Sequence, residues 1–171
     1  PADGTAVLNG DDAWCRKLGA RFAGEKIYFG TGDSSDVCAV EIRSRQERGT
    51  VFIARFGPHA VEMTVPVPGQ HNVANALAAV AVGWRLGVEP AAIARGLANF
   101  APSKMRLEII DAGRFRIIND TYNANPQSMR AAIMVLRELA GDRRVAVLDD
   151  MLELGEHGPD GHREVGEFAG E

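Results

Sequence analysis

The densest polar stretch of the chain is Asn119-Asp120-Thr121-Tyr122-Asn123-Ala124-Asn125-Pro126, where the apolar run Ile117-Ile118 gives way to a helical pattern opened by Pro126. Ligands of open α/β sheets bind outside the carboxyl ends of strands, beside helix N-termini whose free N–H groups face the loop. A carboxylate at such a strand end is well placed to accept hydrogen bonds from a sugar hydroxyl, which makes Asp120 the leading binding residue. Asn123, Asn125 and Ser128 serve equally well as caps and turn formers, and Pro126 suits a first helical position whatever the function.

A second constellation is Gly69-Gln70-His71-Asn72-Val73-Ala74-Asn75, at the join between a strand and a helix. Asn72 and Asn75 are spaced to lie on one side of the first helical turn. A carboxamide donates and accepts at once, as the edge of a purine requires. The competing reading makes Asn72 a cap and Asn75 a surface residue, and His71 alone reads as a hydrogen-bonded structural histidine.

Three further groups carry weaker signals. Arg106, beside Lys104, sits in a segment between two elements, where a planar guanidinium suits two-point contact with a phosphate; a solvated linker charge explains it equally well. Asp149-Asp150 follows the apolar run Val145-Ala146-Val147-Leu148, so the pair suits Mg2+ or a substrate ammonium, or else a solvated loop with Asp150 capping a turn. His157 and His162 lack the helical HExxH pattern and receive no metal, and the chain contains neither GxxxxGK[ST] nor GxSxG.

The elements that must position these residues follow from periodicity. Ala6–Asn9 and Lys26–Phe29 read as short strands around a helix over roughly 12–19 capped by Asp11 or Asp12, with a turn-rich stretch at 30–35. From Val37 to Val67 the period is two, which predicts three antiparallel strands. Asn72–Leu86 reads as a helix ended by Gly87, and Pro90 opens a second helix to about Asn99. Beyond a boundary at roughly 101–105, the strands Arg106–Asp111 and Phe115–Asn119 flank the turn Ala112-Gly113-Arg114. A helix over about 126–140, a strand at 143–148 and a helix from about Pro159 complete a βαβα alternation, which argues for a doubly wound parallel sheet.

With 171 residues, 46% hydrophobic and 25% charged, the chain can bury one good core or two small ones. A formal charge of −4 with scattered Lys and Arg offers no stripe to follow a phosphate backbone, so nucleic acid is not an expected partner. No run approaches the length of a spanning helix and no signal peptide is evident, so a cytoplasmic setting is expected. Cys15 and Cys38 have no CxxC spacing and read as reduced structural residues. The ends, a start without Met and a stop inside a helical pattern, read as those of an excised piece of a longer polypeptide.

In order, Gly69-Gln70-His71-Asn72-Val73-Ala74-Asn75-Ala76-Leu77-Ala78-Ala79, then Asp120 through Met129, then Val147-Leu148-Asp149-Asp150-Met151-Leu152-Glu153-Leu154-Gly155 resemble the Mur ligase family. Leu8-Asn9-Gly10-Asp11-Asp12 and His162-Arg163-Glu164-Val165-Gly166 extend the resemblance over nearly the whole chain. It implies an α/β fold in which 1–103 is the second half of a central ATPase domain, with antiparallel strands and two helices, and 104–171 opens a Rossmann-like, doubly wound C-terminal domain that is truncated here. It further implies ATP and Mg2+ as cofactors, and an amide bond formed through an acyl phosphate.

The middle motif points to members that add D-alanyl-D-alanine to UDP-N-acetylmuramoyl-tripeptide for peptidoglycan, within a monomeric parent. By the same resemblance Asn72, Asn75, Arg106 and Asp120 contact ATP, and Asn123 and Asn125 line the dipeptide site. The phosphate loop and Mg2+ ligands are expected upstream, so the piece alone is expected to be inactive. Asp149 stands where the family usually has Gly. A sister ligase adding another amino acid, and a non-catalytic nucleotide- or peptide-binding module, are the alternatives.

Overall fold

Apolar runs broken by Gly10-Asp11-Asp12 imply a β-loop-α unit, and the computed structural model, which describes residues 3–32 and 34–171, contains it. Strand β1 (Thr5–Asn9) leads into helix α1 (Ala13–Arg21) and strand β2 (Glu25–Gly30), with β1 and β2 parallel. Asp12 is the residue that caps α1, accepting the Cys15 N–H at 2.7 Å. Asp11 instead accepts both the N–H and the hydroxyl of Thr31, tying together the carboxyl ends of β1 and β2. Asp33, part of the turn read at 30–35, and Pro1 and Ala2, part of the end read as excised, lie outside the described residues.

Strand β3 (Val37–Ser44) joins β2 in parallel, and β4 (Thr50–Phe56) and β5 (His59–Val65) continue antiparallel, giving the order β1-β2-β3-β4-β5. The period-two reading of β3 fails at both ends. Val37, Cys38 and Ala39 are all buried, and a register shift between Val40 and Arg43, with Glu41 at φ +52°, bends the strand.

Helix α2 (His71–Arg85) buries Val73, Ala76, Leu77, Val80 and Ala81, an i, i+3, i+4 stripe laid on the sheet. Gly87, at φ +74°, ends it in the left-handed conformation that a glycine adopts without steric cost. Helix α3 (Pro90–Ala98) follows with its proline in the first turn. Phe52, Phe56, Met63, Leu77 and Val80 form the centre of the core, with almost no exposed surface.

Strands β6 (Glu108–Asp111) and β7 (Arg116–Asn119) form an antiparallel hairpin around Gly113, and helices α4 (Pro126–Glu138) and α5 (Gly158–Gly170) complete the chain. The core is continuous across the boundary expected at 101–105: Leu107, Val135 and Leu139 belong to the same buried cluster as the residues of β4, β5 and α2. A smaller cluster of Ile133, Met151 and Val165 joins α4 to α5.

The expected doubly wound parallel sheet is not formed among the described residues, where the sheet of this part has two strands, β6 and β7. Residues 143–148 are not a strand, and Val145 and Val147 are 61% and 93% exposed. The physical reason lies in Arg144, whose guanidinium donates to the carbonyls of Leu136 and Leu139 at 3.1 and 3.0 Å. This satisfies the open C-terminal end of α4 and fastens the segment there. No described helix is long and apolar enough to cross a membrane.

Candidate functional site

Gly69 begins the site. At φ +97° it turns the chain from the β5 end into α2, and a Cβ there would stand 2.6 Å from the His71 ring and 2.9 Å from Val135 of α4. The turn therefore brings the start of α2 against α4, which is how residues far apart in sequence come to share one cleft.

Asn72 is not a cap. It lies inside the first turn of α2, and its Nδ2 donates back to the Pro68 carbonyl at 2.8 Å and faces His71 Nε2 at 3.1 Å. Its Oδ1 accepts from Asn75 Nδ2 at 3.3 Å, so the two carboxamides are coupled as their spacing suggests.

Asp120 ends β7 and accepts the Leu107 N–H through Oδ1 at 2.9 Å, while among the described residues Oδ2 has no protein partner. Asn125 caps α4 through a reciprocal capping box with Ser128, at 2.8 and 3.1 Å. Asn123 Oδ1 accepts the N–H of Ala124 at 2.9 Å. The capping alternative for Asn125 is thus realised, and it leaves the Nδ2 groups of Asn123 and Asn125 as uncommitted donors.

Arg106 sits over the Tyr122 ring, its Cζ 4.1 Å from the centroid, which splints the guanidinium at the edge of the cleft. Asn72, Asn75, Arg106, Asp120, Asn123 and Asn125 together line one cleft of about 300 Å³. His71, Phe100 and Ser128 are also part of its wall. His71 and Tyr122 were not singled out as ligands from sequence, and the signal for His71 was its place between a left-handed glycine and the first asparagine. Although His71 is exposed by surface area, the atoms crowding its ring desolvate it and hold the imidazole below its ordinary range, with the Asp120 and Glu138 carboxylates opposing this.

Asp149 and Asp150 line a separate cleft with His162. His162 Nδ1 lies 2.7 Å from the Gly158 carbonyl and so donates, while Nε2 accepts the Met151 N–H at 2.9 Å. The ring is neutral in this arrangement, and Asp150, at 3.6 Å, is a neighbour and not an ion-pair partner. Asp149, not Asp150, makes the local turn bond, accepting the Asp150 N–H at 2.8 Å. Asp149 has no positive φ, so this backbone has no need of a glycine there. Among the described residues no three His, Cys, Asp or Glu gather as a metal site would require.

An α/β sheet is thus joined through one core to a hairpin-helix unit, with paired carboxamides and a strand-end carboxylate at the join. The chain belongs to the Mur ligase family. The Mur ligase middle domain matches residues 1–83, and the Mur ligase glutamate ligase domain matches residues 105–170.

Among its relatives is the UDP-N-acetylmuramoyl-tripeptide–D-alanyl-D-alanine ligase of Bacillus subtilis, 38% identical over 96% of this chain and 35% of that protein. The crystal structure of MurF from Acinetobacter baumannii matches with a TM-score of 0.91 and 33% identity over all of this chain and 37% of that one. MurF from Thermotoga maritima in complex with ADP matches at 0.83 and 25% identity, over 98% of this chain and 38% of that one. The chain thus spans a little over a third of the length of these relatives.

Proposed function

We propose that this chain is one wall of the active site of an ATP-dependent ligase that joins D-alanyl-D-alanine to UDP-N-acetylmuramoyl-tripeptide in the cytoplasm. The observation that carries this reading is the convergence of six polar side chains, from both sides of the 101–105 segment, on one cleft. The likeness to an ADP complex and to a D-alanyl-D-alanine ligase supports both halves of it.

In this reading Asn72 and Asn75 meet the adenine edge, the free Oδ2 of Asp120 accepts ribose hydroxyls, and Arg106 meets phosphate. Asn123 and Asn125 spend their carbonyl oxygens within the loop and offer amide protons to the cleft. Donors without acceptors suit a carboxylate, such as the C-terminus of the incoming dipeptide, beside the N-terminal end of α4.

The chemistry is acyl transfer in two steps. The tripeptide carboxylate attacks the γ-phosphorus of ATP, giving an acyl phosphate and ADP. The dipeptide amine then attacks the acyl carbon, releasing phosphate and forming the amide. The acyl phosphate must be kept from water, and closure of the complete site around it would exclude water while adding the last binding groups. Mg2+ supplies charge neutralisation for the phosphates in such chemistry, and the described residues present no cluster to which we assign it.

The test is phosphate release by the complete polypeptide that carries this chain. Release should require both UDP-N-acetylmuramoyl-tripeptide and D-alanyl-D-alanine. Release with a single amino acid in place of the dipeptide would move the assignment to a sister ligase. ADP binding by the protein without any ligation would favour a binding module.

A further inference from the structure

Asn72 carries two amide protons, and both are spoken for. The Pro68 carbonyl, 2.8 Å from Nδ2, can only accept, so it fixes which end of the carboxamide is nitrogen. His71 Nε2, 3.1 Å from the same Nδ2, must then be the acceptor of the other proton, which makes Nδ1 the protonated nitrogen of a neutral ring. Asn72 Oδ1 is turned to Asn75, accepting at 3.3 Å and so orienting the second carboxamide. Asn75 retains one amide proton and its carbonyl oxygen, the donor and acceptor pair that a purine edge needs.

The ring itself is seated by the backbone. Gly69 leaves the space a Cβ would fill, 2.6 Å from the His71 ring carbon Cε1 and 2.9 Å from Val135 of α4. The charged groups that face the ring are Asp120 from the β7–α4 turn and Glu138 from α4, with Arg106 across the cleft.

We infer that His71 is a positioning residue: through Nε2 it holds Asn72, and through Asn72 it holds Asn75, in the orientation that reads the nucleotide base. The role rests on the nucleotide site proposed above. Protonation of His71 turns Nε2 from acceptor to donor, sets two donors against each other, and releases the Asn72 carboxamide. Desolvation keeps the ring neutral at neutral pH, so the release belongs to the range below its ordinary value of 6.5.

ADP binding by the complete polypeptide that carries this chain, measured by calorimetry from about pH 8 to about pH 5 on the wild type, H71Q and H71A, tests this. The expected result is an affinity that falls about fivefold as the wild type is acidified, the scale of one lost hydrogen bond. H71Q, whose amide oxygen replaces the Nε2 acceptor, should bind within about twofold of wild type at high pH and lose that part of the pH dependence. H71A should bind about fivefold more weakly throughout.

A readout independent of nucleotide is the Asn72 side-chain amide resonance, which should titrate together with the His71 ring. Equal affinities and parallel pH profiles for all three proteins would overturn the role while leaving the nucleotide site standing. Absence of ADP binding by the wild type at every pH would overturn both.

Discussion

Asp120 accepts the backbone N–H of Leu107 at 2.9 Å, and Leu107 has a φ of +48°. The carboxylate at the end of β7 therefore braces the left-handed entry of the chain into β6, and one side chain both supports this entry and faces the cleft. These roles separate by substitution. Asp120→Asn keeps an acceptor for the Leu107 N–H and should unfold within about 1 kcal/mol of wild type, whereas Asp120→Ala leaves that donor without its charged partner and should cost about 2 kcal/mol. Both should weaken ADP binding, because the free Oδ2 is lost in each. Urea unfolding with calorimetry checks this; equal stability of the two variants would remove the bracing role.

Tyr122 holds Arg106 by stacking, not by its hydroxyl. Tyr122→Phe keeps the ring and should bind ADP as wild type does. Tyr122→Ala frees the guanidinium and should weaken binding about threefold, the effect of an exposed cation–π contact. A loss in the phenylalanine variant equal to that in the alanine variant would assign the hydroxyl the role instead.

Much of this was legible in sequence, for reasons that differ by element. Helix α2 carries its periodicity in Val73, Ala76, Leu77 and Val80, and α4 is announced by Asn125-Pro126 and Ser128, whose local chemistry sets its start. The residues lining the cleft were named because polar side chains cluster at strand and helix ends. What sequence could not reveal is non-local. The apolar run 143–148 reads as a strand, yet pairing needs a neighbour, and Arg144 fastens the segment to the end of α4 instead. The shared core through Val135 and Leu139 was likewise invisible, since either helix face could have met either part. For Asn72 a cap and a ligand stood side by side, because the residue types that cap helices are the ones that bind ligands.

Gly69 has both a backbone and a steric reason to be glycine. Its φ of +97° disfavours any side chain, and a Cβ would press on His71 and Val135 at once. Gly69→Ala should therefore cost about 2 kcal/mol or more. It should also weaken ADP binding, since the His71 ring must move. Denaturant unfolding at neutral pH is the measurement, and a variant as stable as wild type would mean that the turn relaxes freely.

The pH dependence of stability should show two stages. His71 has a folded pKa below its unfolded value of 6.5, so between the two the unfolded chain binds more protons than the folded one. Stability is then full above 6.5 and falls as pH drops through that window, and H71Q should remove this first loss. Glu25 and Asp12 are held low by hydrogen bonds, Glu25 from Thr5 and Arg85 and Asp12 from the Cys15 N–H. A carboxyl whose folded pKa is depressed contributes stability above its unfolded value, here 4.5 and 3.8, and that contribution disappears on further acidification. Glu25 is solvent-exposed and Asp12 only partly covered, so their stage should be small and weakened by salt, while the His71 stage should resist salt. Thermal unfolding against pH at low and high ionic strength distinguishes them. An identical midpoint fall in H71Q and wild type above pH 4.5 would show that His71 does not drive the first stage.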